Sequence, residues 1–184
     1  MEDLSLHLLD IAENSIDAGA DRIEIRIEED MVNDILLLKV RDNGRGMDAE
    51  TMAKVADPFY TTRRVRRVGL GLPFLSQAAE ECGGSFSIAS EMGKGTTVSA
   101  SFKNSHIDRK PLGDIAATMT VLVAGNPRID FFLEYAKDGF FYRFDTEEIR
   151  RELGDVPINT PSVIEIIRRD ISTGIKELLL KGTY

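Results

Sequence analysis

The sequence predicts an α/β fold. It is a two-layer sandwich in which one mixed sheet carries helices on a single face, followed by a small α+β unit. Three observations predict it. Helical and strand periodicities succeed each other through residue 102 in the order helix, two strands, helix, glycine loop, helix, two strands. The strands come in adjacent pairs joined by short polar turns, which is how antiparallel neighbours are connected. From Asn104 to Pro111 the pattern turns polar, and a second, shorter set of helices and one hairpin follows. Helices packed on one face of such a sheet are the natural way to bury its apolar side.

Each element has its own signal. Leu4 to Ala18 is an amphipathic helix closed by Gly19, with Leu4, Leu8, Ile11, Ala12 and Ser15 on one face and Asp10, Asn14 and Asp17 on the other. Arg22 to Glu28 alternates strictly and reads as a half-buried strand. After a polar turn, Ile35 to Arg41 reads as a more buried one. Asp48 caps a short helix to Val55, and Pro58 to Val68 is a Thr- and Arg-rich loop. Gly69-Leu70-Gly71-Leu72-Pro73 opens a helix to about Cys82, with Pro73 in the first turn where its missing amide proton costs nothing. Ser85 to Ser90 and Thr97 to Phe102 form a hairpin across Glu91 to Thr96. Beyond the polar boundary come a helix from Leu112 to Ala124, a hairpin from Ile129–Tyr135 to Phe140–Asp145, a capped helix from Thr146 to Leu153, and a longer helix opened by Thr160-Pro161. The domain division expected is 1–104 and 105–184. The other face of the sheet is open unless the carboxy-terminal unit or a second subunit covers it.

Composition narrows the function. The chain has 184 residues, 42% of them hydrophobic and 29% charged, as in ordinary soluble domains. A formal charge of −8 disfavours a general nucleic-acid or anionic-membrane partner, although Arg63, Arg64, Arg66 and Arg67 form a local basic knot. The single cysteine, Cys82, rules out a disulfide within the chain and fits a reducing, cytoplasmic setting. It follows an apolar helical pattern, as a buried structural thiol does. Two histidines and one cysteine are too few for a zinc site. No apolar run approaches the roughly 20 residues of a membrane helix, and the acidic amino terminus is unlike a secretory leader.

Four local patterns carry chemistry. Asp42 stands at the end of a buried strand and is followed by Asn43-Gly44-Arg45-Gly46-Met47. A carboxylate held there offers a fixed acceptor for an exocyclic amine, and the glycines leave a slot free of side chains; a plain turn is the alternative. The stripe of Asp10, Asn14 and Asp17 reads either as a solvated helix face or as a site, since it puts an amide between two carboxylates with no basic residue to pair them. One neutral oxygen is what Mg²⁺ takes from a protein when phosphates and waters fill its other sites, and Asp10 lies one turn earlier, placed to hold a water. Gly69 to Leu72 opens a helix whose free amide protons and dipole favour phosphate. Gly93-Lys94-Gly95-Thr96-Thr97 reads either as an ordinary turn or as a segment whose Thr96 hydroxyl, beside Asp42 and with an ordered water, is expected to read an adenine edge.

Together and in this order these segments resemble the GHKL ATPase superfamily of gyrase-type topoisomerases, heat-shock-ninety chaperones, sensor histidine kinases and mismatch-repair ATPases. Asp10-Ile11-Ala12-Glu13-Asn14-Ser15-Ile16-Asp17-Ala18-Gly19-Ala20 is similar to its N box and Asp42 to Met47 to its first glycine box. Pro58-Phe59-Tyr60-Thr61-Thr62 is similar to the segment entering the lid, Gly69 to Leu72 to the second glycine box, and Gly93 to Thr97 to the last. The later motifs look most like the histidine-kinase branch and the first most like the mismatch-repair branch. The resemblance implies the Bergerat ATP-binding fold, with ATP and Mg²⁺ as ligands. It implies that Asn14 ligates Mg²⁺, that Asp42 binds the adenine amine beside Thr96, that Gly44 and Gly46 shape the pocket, and that Gly69, Leu70 and Gly71 contact phosphates. Asp17, Met47, Thr62, Arg63 and Leu72 complete the nucleotide-binding set expected from those motifs.

Two departures from the family pattern bear on activity. Hydrolysing members carry a glutamate four residues before the metal-binding asparagine. Here that position is Asp10, one methylene shorter, so it is expected to be a weak general base and hydrolysis slow. Kinases of the superfamily carry a helical, histidine-bearing domain ahead of the nucleotide domain. This chain begins almost inside its N box, so that domain is expected to be absent, and His7 is expected to pack or face solvent rather than accept phosphate. The expected function is a Mg-ATP-binding, histidine-kinase-like ATPase domain acting as a nucleotide-dependent switch on an unidentified protein partner, with a homodimer left open. The alternatives are a stand-alone kinase of a separate partner and a non-enzymatic nucleotide-sensing scaffold. The carboxy-terminal unit carries no catalytic signal. Phe131, Phe132, Phe140, Phe141 and Phe144 are expected to form its hairpin core, with a partner surface as the alternative, and Arg128, Arg143, Arg150 and Arg151 a solvated face.

Overall fold

The computed structural model describes residues 3–54 and 71–181. In chain order the elements are α1 (Leu4–Asp17), β1 (Arg22–Asp30), β2 (Ile35–Asp42), α2 (Ala49–Lys54), α3 (Gly71–Glu81), β3 (Ser85–Glu91) and β4 (Gly95–Lys103). They continue with α4 (Ile115–Gly125), β5 (Asp130–Lys137), β6 (Phe140–Asp145), α5 (Thr146–Leu153) and α6 (Pro161–Lys181). The periodicities read from the sequence match these bounds closely, and the loop expected from Pro58 to Val68 lies outside the described residues.

The strands form one mixed sheet in the order β3-β4-β2-β1-β5-β6 among the described residues. β1 and β2, β2 and β4, β3 and β4, and β5 and β6 pair antiparallel. β5 pairs with β1 in parallel, in the register Ile23↔Phe131, Ile25↔Leu133 and Ile27↔Tyr135. The carboxy-terminal hairpin therefore lengthens the first sheet. Its helices join the same layer, since α4 packs on α1 and α6, and α6 packs on β5 and β6, while α3 lies over β3 and β4.

Alternation along the strands decides which face is dry. Ile23, Ile25 and Ile27 of β1, Leu36, Leu38 and Val40 of β2, Val98, Ala100 and Phe102 of β4, and Phe131, Leu133 and Tyr135 of β5 are all buried beneath the helices. The opposite face carries Arg22, Glu24, Arg26, Arg41, Glu134 and Arg143, with ion pairs from Arg22 to Glu24 and Asp145 and from Arg143 to Glu134. An antiparallel sheet tolerates one such solvated face. The carboxy-terminal unit does not cover it, because its strands add to the edge and α4 and α6 add to the helix layer.

The connection after β4 also ties down α1. Leu4 and Ser5 donate their backbone amides to the carbonyls of Pro111 and Leu112 at 2.9 and 2.8 Å. Asp3 caps the same helix by accepting from the Leu6 amide. Two of the amide protons that every helix start leaves unsatisfied thus find partners in the chain's second half.

Two expectations for the carboxy-terminal unit need correcting. The five phenylalanines do not share a core. Phe131 and Phe144 are buried, whereas Phe140 and Phe141 are 48% and 59% exposed on the outer strand. Arg143 stacks its guanidinium over the Phe141 ring at 4.4 Å. Nor is Arg150 merely solvated. It donates to the carbonyls of Pro127 and Ile129 at 2.7 and 3.0 Å and pairs with Asp130, fastening α5 to the entry of β5.

Candidate functional site

The site is built where β2 ends. Asp42 falls on the buried side of β2, continuing the series Leu36, Leu38 and Val40, and is only 5% exposed. A buried carboxylate is costly unless donors surround it. Here Oδ1 accepts the backbone amides of Gly44 at 2.9 Å and Thr96 at 3.2 Å, and Oδ2 accepts the Ser15 hydroxyl at 2.8 Å. A carboxylate has about four lone-pair positions. Among the described residues, one remains on Oδ2. The group is thus oriented by three elements, α1, the turn after β2 and β4, and it keeps acceptor capacity for one more donor.

The glycines around Asp42 exist because backbones meet there. Gly46 has φ +66°, and a Cβ on it would lie 2.0 Å from the Glu91 carbonyl oxygen. Gly95 has φ +92°, and a Cβ on it would lie 2.0 Å from the Asp42 carbonyl oxygen. Only glycine satisfies both the left-handed backbone and the close approach. Further bonds fasten the β3–β4 hairpin to the turn after β2. The Gly93 amide donates to the Arg45 carbonyl at 2.8 Å, and the Met47 amide donates to the Ser90 hydroxyl at 2.9 Å. Gly44 is buried against Ala18 and the Asp42 carboxylate. Asn43 does structural work nearby, accepting the amides of Asp21 and Arg22 and donating to the Asp21 carboxylate.

On α1, Asp10 and Asn14 are half-buried and Asp17 is exposed. The Asp10 carboxylate lies against the first described residue of α3. A Cβ on Gly71 would sit 1.4 Å from its Oδ2, so glycine is required there for the two to coexist. The sequence-expected stripe and phosphate loop therefore meet at Asp10 and Gly71, with Leu72 half-buried beside them. Thr62, Arg63, Gly69 and Leu70 lie outside the described residues.

His7, one turn before Asp10 and Ile11, is completely buried, and neither ring nitrogen has a hydrogen-bond partner among the described residues. Burial pushes its pKa down to about 4, and the Lys110 charge pushes the same way, against Asp3 and the nearby Gly71 backbone. It packs, as expected, as a neutral ring. Cys82 is buried too, and burial raises its thiol pKa, which makes it inert.

Two details of the site escaped the sequence. The Thr96 group that reaches Asp42 is its backbone amide, while its hydroxyl is engaged with Ser90 at 2.9 Å. Ser90 itself reads from the sequence only as a strand residue. The signal was the hairpin register, which places Ser90 directly opposite Thr96.

Residues 2–106, more than half of the chain, match the family model described as histidine kinase-, DNA gyrase B-, and HSP90-like ATPase. The chain belongs to this family. It therefore carries a histidine-kinase-like, ATP-binding domain of the GHKL type. It is 38% identical over 102 residues to the sensor protein SrrB of Staphylococcus aureus, a match that covers 53% of this chain and 17% of that protein. It is 40% identical over 75 residues to a putative sensor protein of Shewanella frigidimarina, covering 40% of this chain and 12% of that one. The chain thus spans less than a fifth of the length of these relatives. Its fold is similar to the Aquifex aeolicus MutL ATPase domain complexed with ADP, with a TM-score of 0.55 and 18% identity over 82% of this chain and 68% of that one. The N-terminal domain of a DNA repair protein gives a TM-score of 0.56 at 21% identity, over 78% and 52% of the two chains. No described helix is long and apolar enough to cross a membrane.

Proposed function

We propose that the protein is a Mg-ATP-dependent switch that hydrolyses its nucleotide slowly and signals its state to a protein partner. The observation that carries this reading is Asp42. It is a buried carboxylate fixed by Ser15, Gly44 and Thr96, with one lone pair left over among the described residues, where Gly46 and Gly95 let the turn after β2 and the β3–β4 hairpin approach closely. Such a group binds a single N–H donor in a flat site, as the 6-amino group of adenine requires.

Around it the residues take the following roles. Asp42 holds the base, with Gly44, Gly46 and Met47 forming the slot and Thr96 beside it. Gly71 and Leu72, with Thr62, Arg63, Gly69 and Leu70 of the preceding segment, serve the phosphates. The start of α3 offers backbone N–H groups to them. Asn14 and Asp17 of α1 complete the nucleotide set. Asn14 fits Mg²⁺ as a half-buried amide one turn from Asp10, and the described residues hold no cluster of three or more acidic, histidine or cysteine side chains to rival it. A metal held mainly by phosphates and waters needs only such a neutral oxygen, and when bound it supplies charge neutralisation at the phosphates. Asp10 is the general base. Its carboxylate reaches the mouth of α3 from a side chain one methylene shorter than glutamate, and misplacement by about 1 Å costs on the order of a hundredfold in rate.

A second reading, a kinase of a separate protein, is favoured by one observation: one relative is named a sensor protein and the other a putative sensor protein. ATP labelled in its terminal phosphate, incubated with the protein and Mg²⁺ with and without cell extract, separates the readings. Slow release of labelled phosphate without extract is the result expected of the switch. A labelled partner band with no free phosphate is the result expected of the kinase.

A further inference from the structure

β6 is the last strand of the sheet, so one side of its backbone has no neighbouring strand among the described residues. Edges of this kind are usually blunted by a bulge, a proline or a lysine. β6 has none of these. It pairs with β5 without interruption from Phe140 to Asp145, and its sequence is Phe-Phe-Tyr-Arg-Phe-Asp. The two-residue turn at Asp138 and Gly139, with φ 47° and 85°, makes Lys137 and Phe140 a hydrogen-bonded pair. Alternate residues follow, so Tyr142 and Phe144 bond to β5, while Phe141 and Arg143 turn their N–H and C=O groups outward. Among the described residues nothing takes those groups.

The strand fits its own copy. Turned by a two-fold normal to the sheet, it pairs antiparallel with itself, and opposed residues share a face. With the axis at Tyr142, Phe140 faces Phe144 of the second copy and Phe141 faces its Arg143. The pair that exchanges hydrogen bonds across the seam is then the outward-turned one. Within one chain Arg143 already stacks over the Phe141 ring, a contact that the second copy can repeat. Moving the axis to Arg143 would set two guanidiniums against each other, and axes farther along pair fewer strand residues.

The helix over β6 continues the surface. Asp170 accepts from the Tyr142 hydroxyl, and Gly174 lies against the Tyr142 ring. On the other flank of α6, Arg168 reaches Asp114 at the start of α4. Ile166, Thr173 and Leu180, seven residues apart, form the stripe just past the Tyr142 side and away from α4. All three are exposed, Ile166 and Leu180 by 55% and 64%. The same two-fold sets this stripe beside its antiparallel copy, with Thr173 near the axis and Ile166 toward Leu180 of the second copy. Exposed apolar side chains gathered on one surface mark a contact with another protein.

We propose that β6, flanked by α6, is the interface between two copies of this chain, whose sheets join edge to edge into one continuous sheet. Both elements lie beyond residue 106, outside the part of the chain that matches the ATPase family, so the pairing belongs to the carboxy-terminal unit. β1 and β5 separate the seam from the site at the end of β2.

The test is the mass of the full chain in solution, by light scattering over a dilution series without nucleotide. Wild type is expected to be a dimer that dissociates on dilution. Phe141→Lys puts a cation against Arg143 of the second copy, and Arg143→Pro removes an outward N–H that β5 does not use. Both variants are expected to be monomers that keep a cooperative thermal transition. Single cysteines read the register, since the native Cys82 is buried. A mixture of Phe141→Cys and Arg143→Cys proteins is expected to cross-link under mild oxidation, across Cα atoms about 5.5 Å apart, far faster than either variant alone. A wild-type monomer at every concentration would overturn the proposal and leave the edge to a strand of another protein. A dimer that survives both substitutions would overturn it by placing the interface elsewhere, as would a mixture that cross-links no faster than its components.

Discussion

Asp10 and His7 occupy the same helix face within one turn, yet chemistry separates them. Asp10 is proposed to act as a base, whereas His7 is buried and packs. If Asp10 is a weak base because it is one methylene short, Asp10→Ala lowers phosphate release and Asp10→Glu raises it, in steady-state assays with excess Mg-ATP; equal rates in all three proteins would contradict that role. His7 makes a prediction about pH. Its pKa in the folded protein, about 4, lies below the ordinary value of 6.5, so the unfolded chain takes up the proton first as pH falls. Stability is therefore full above about pH 6.5 and declines as pH drops toward 4, by about 3 kcal/mol if His7 acts alone. Urea titrations at pH 7 and pH 5 read this directly. In His7→Leu the part of the pH 5 loss due to this residue should disappear. Acid sensitivity that persists unchanged would assign it to other groups.

At the scale of elements, close approach rather than propensity decides the outcome of substitution. Gly174 sits inside α6, where glycine is about 1 kcal/mol worse than alanine on propensity alone. A Cβ there would lie 2.1 Å from the Tyr142 ring, whose hydroxyl donates to Asp170 at 2.7 Å. Gly174→Ala should therefore destabilise the protein, by roughly 1–3 kcal/mol as overpacking does. The same change in a Tyr142→Ala background should stabilise it. Chemical denaturation of the four proteins measures both signs, and a gain in the single variant would refute the contact. Gly46 is the counterpart in the site. Alanine there meets the Glu91 carbonyl in a left-handed backbone, so the hairpin must part from the turn after β2. Nucleotide affinity should fall further than thermal stability does.

For the whole molecule, the question is what residues 105–184 contribute. Their strands extend the sheet through β5, α4 packs against α1, and Pro111 and Leu112 accept the first amides of α1. Removing them would bare the β1 edge and the buried Leu4 and Leu8. We expect a chain ending at 104 to aggregate or to remain without a cooperative transition, whereas full-length protein melts cooperatively. Size exclusion and thermal unfolding decide this, and a well-behaved short chain would make 1–104 a folding unit in its own right. The same comparison shows how far the sequence reads. Strand and helix spans were legible because Arg22 to Glu28 and Leu4 to Ala18 carry periods of 2 and 3.6. The polar stretch at 104–111 was legible as a boundary of composition. The parallel pairing of β5 with β1 was not, since two alternating strands far apart in sequence say nothing local about becoming neighbours. A carboxylate held at the buried end of a strand was legible in Asp42 and its glycines. Its serine donor, Ser15, and the nearby Ser90 that accepts from the Met47 amide were hidden because a serine on the buried face of a helix or strand announces no partner until the fold supplies one.

Asp42 is proposed to accept a hydrogen bond from the base of ATP. Calorimetric titration of Mg-ATP into wild type and Asp42→Asn, with thermal melts of both, tests it most directly. An amide keeps the shape but puts N–H groups where one of the two oxygens stood. The expected result is measurable affinity in wild type and none in Asp42→Asn, with the cooperative unfolding transition retained. Full ATP affinity in a folded Asp42→Asn protein would contradict the account.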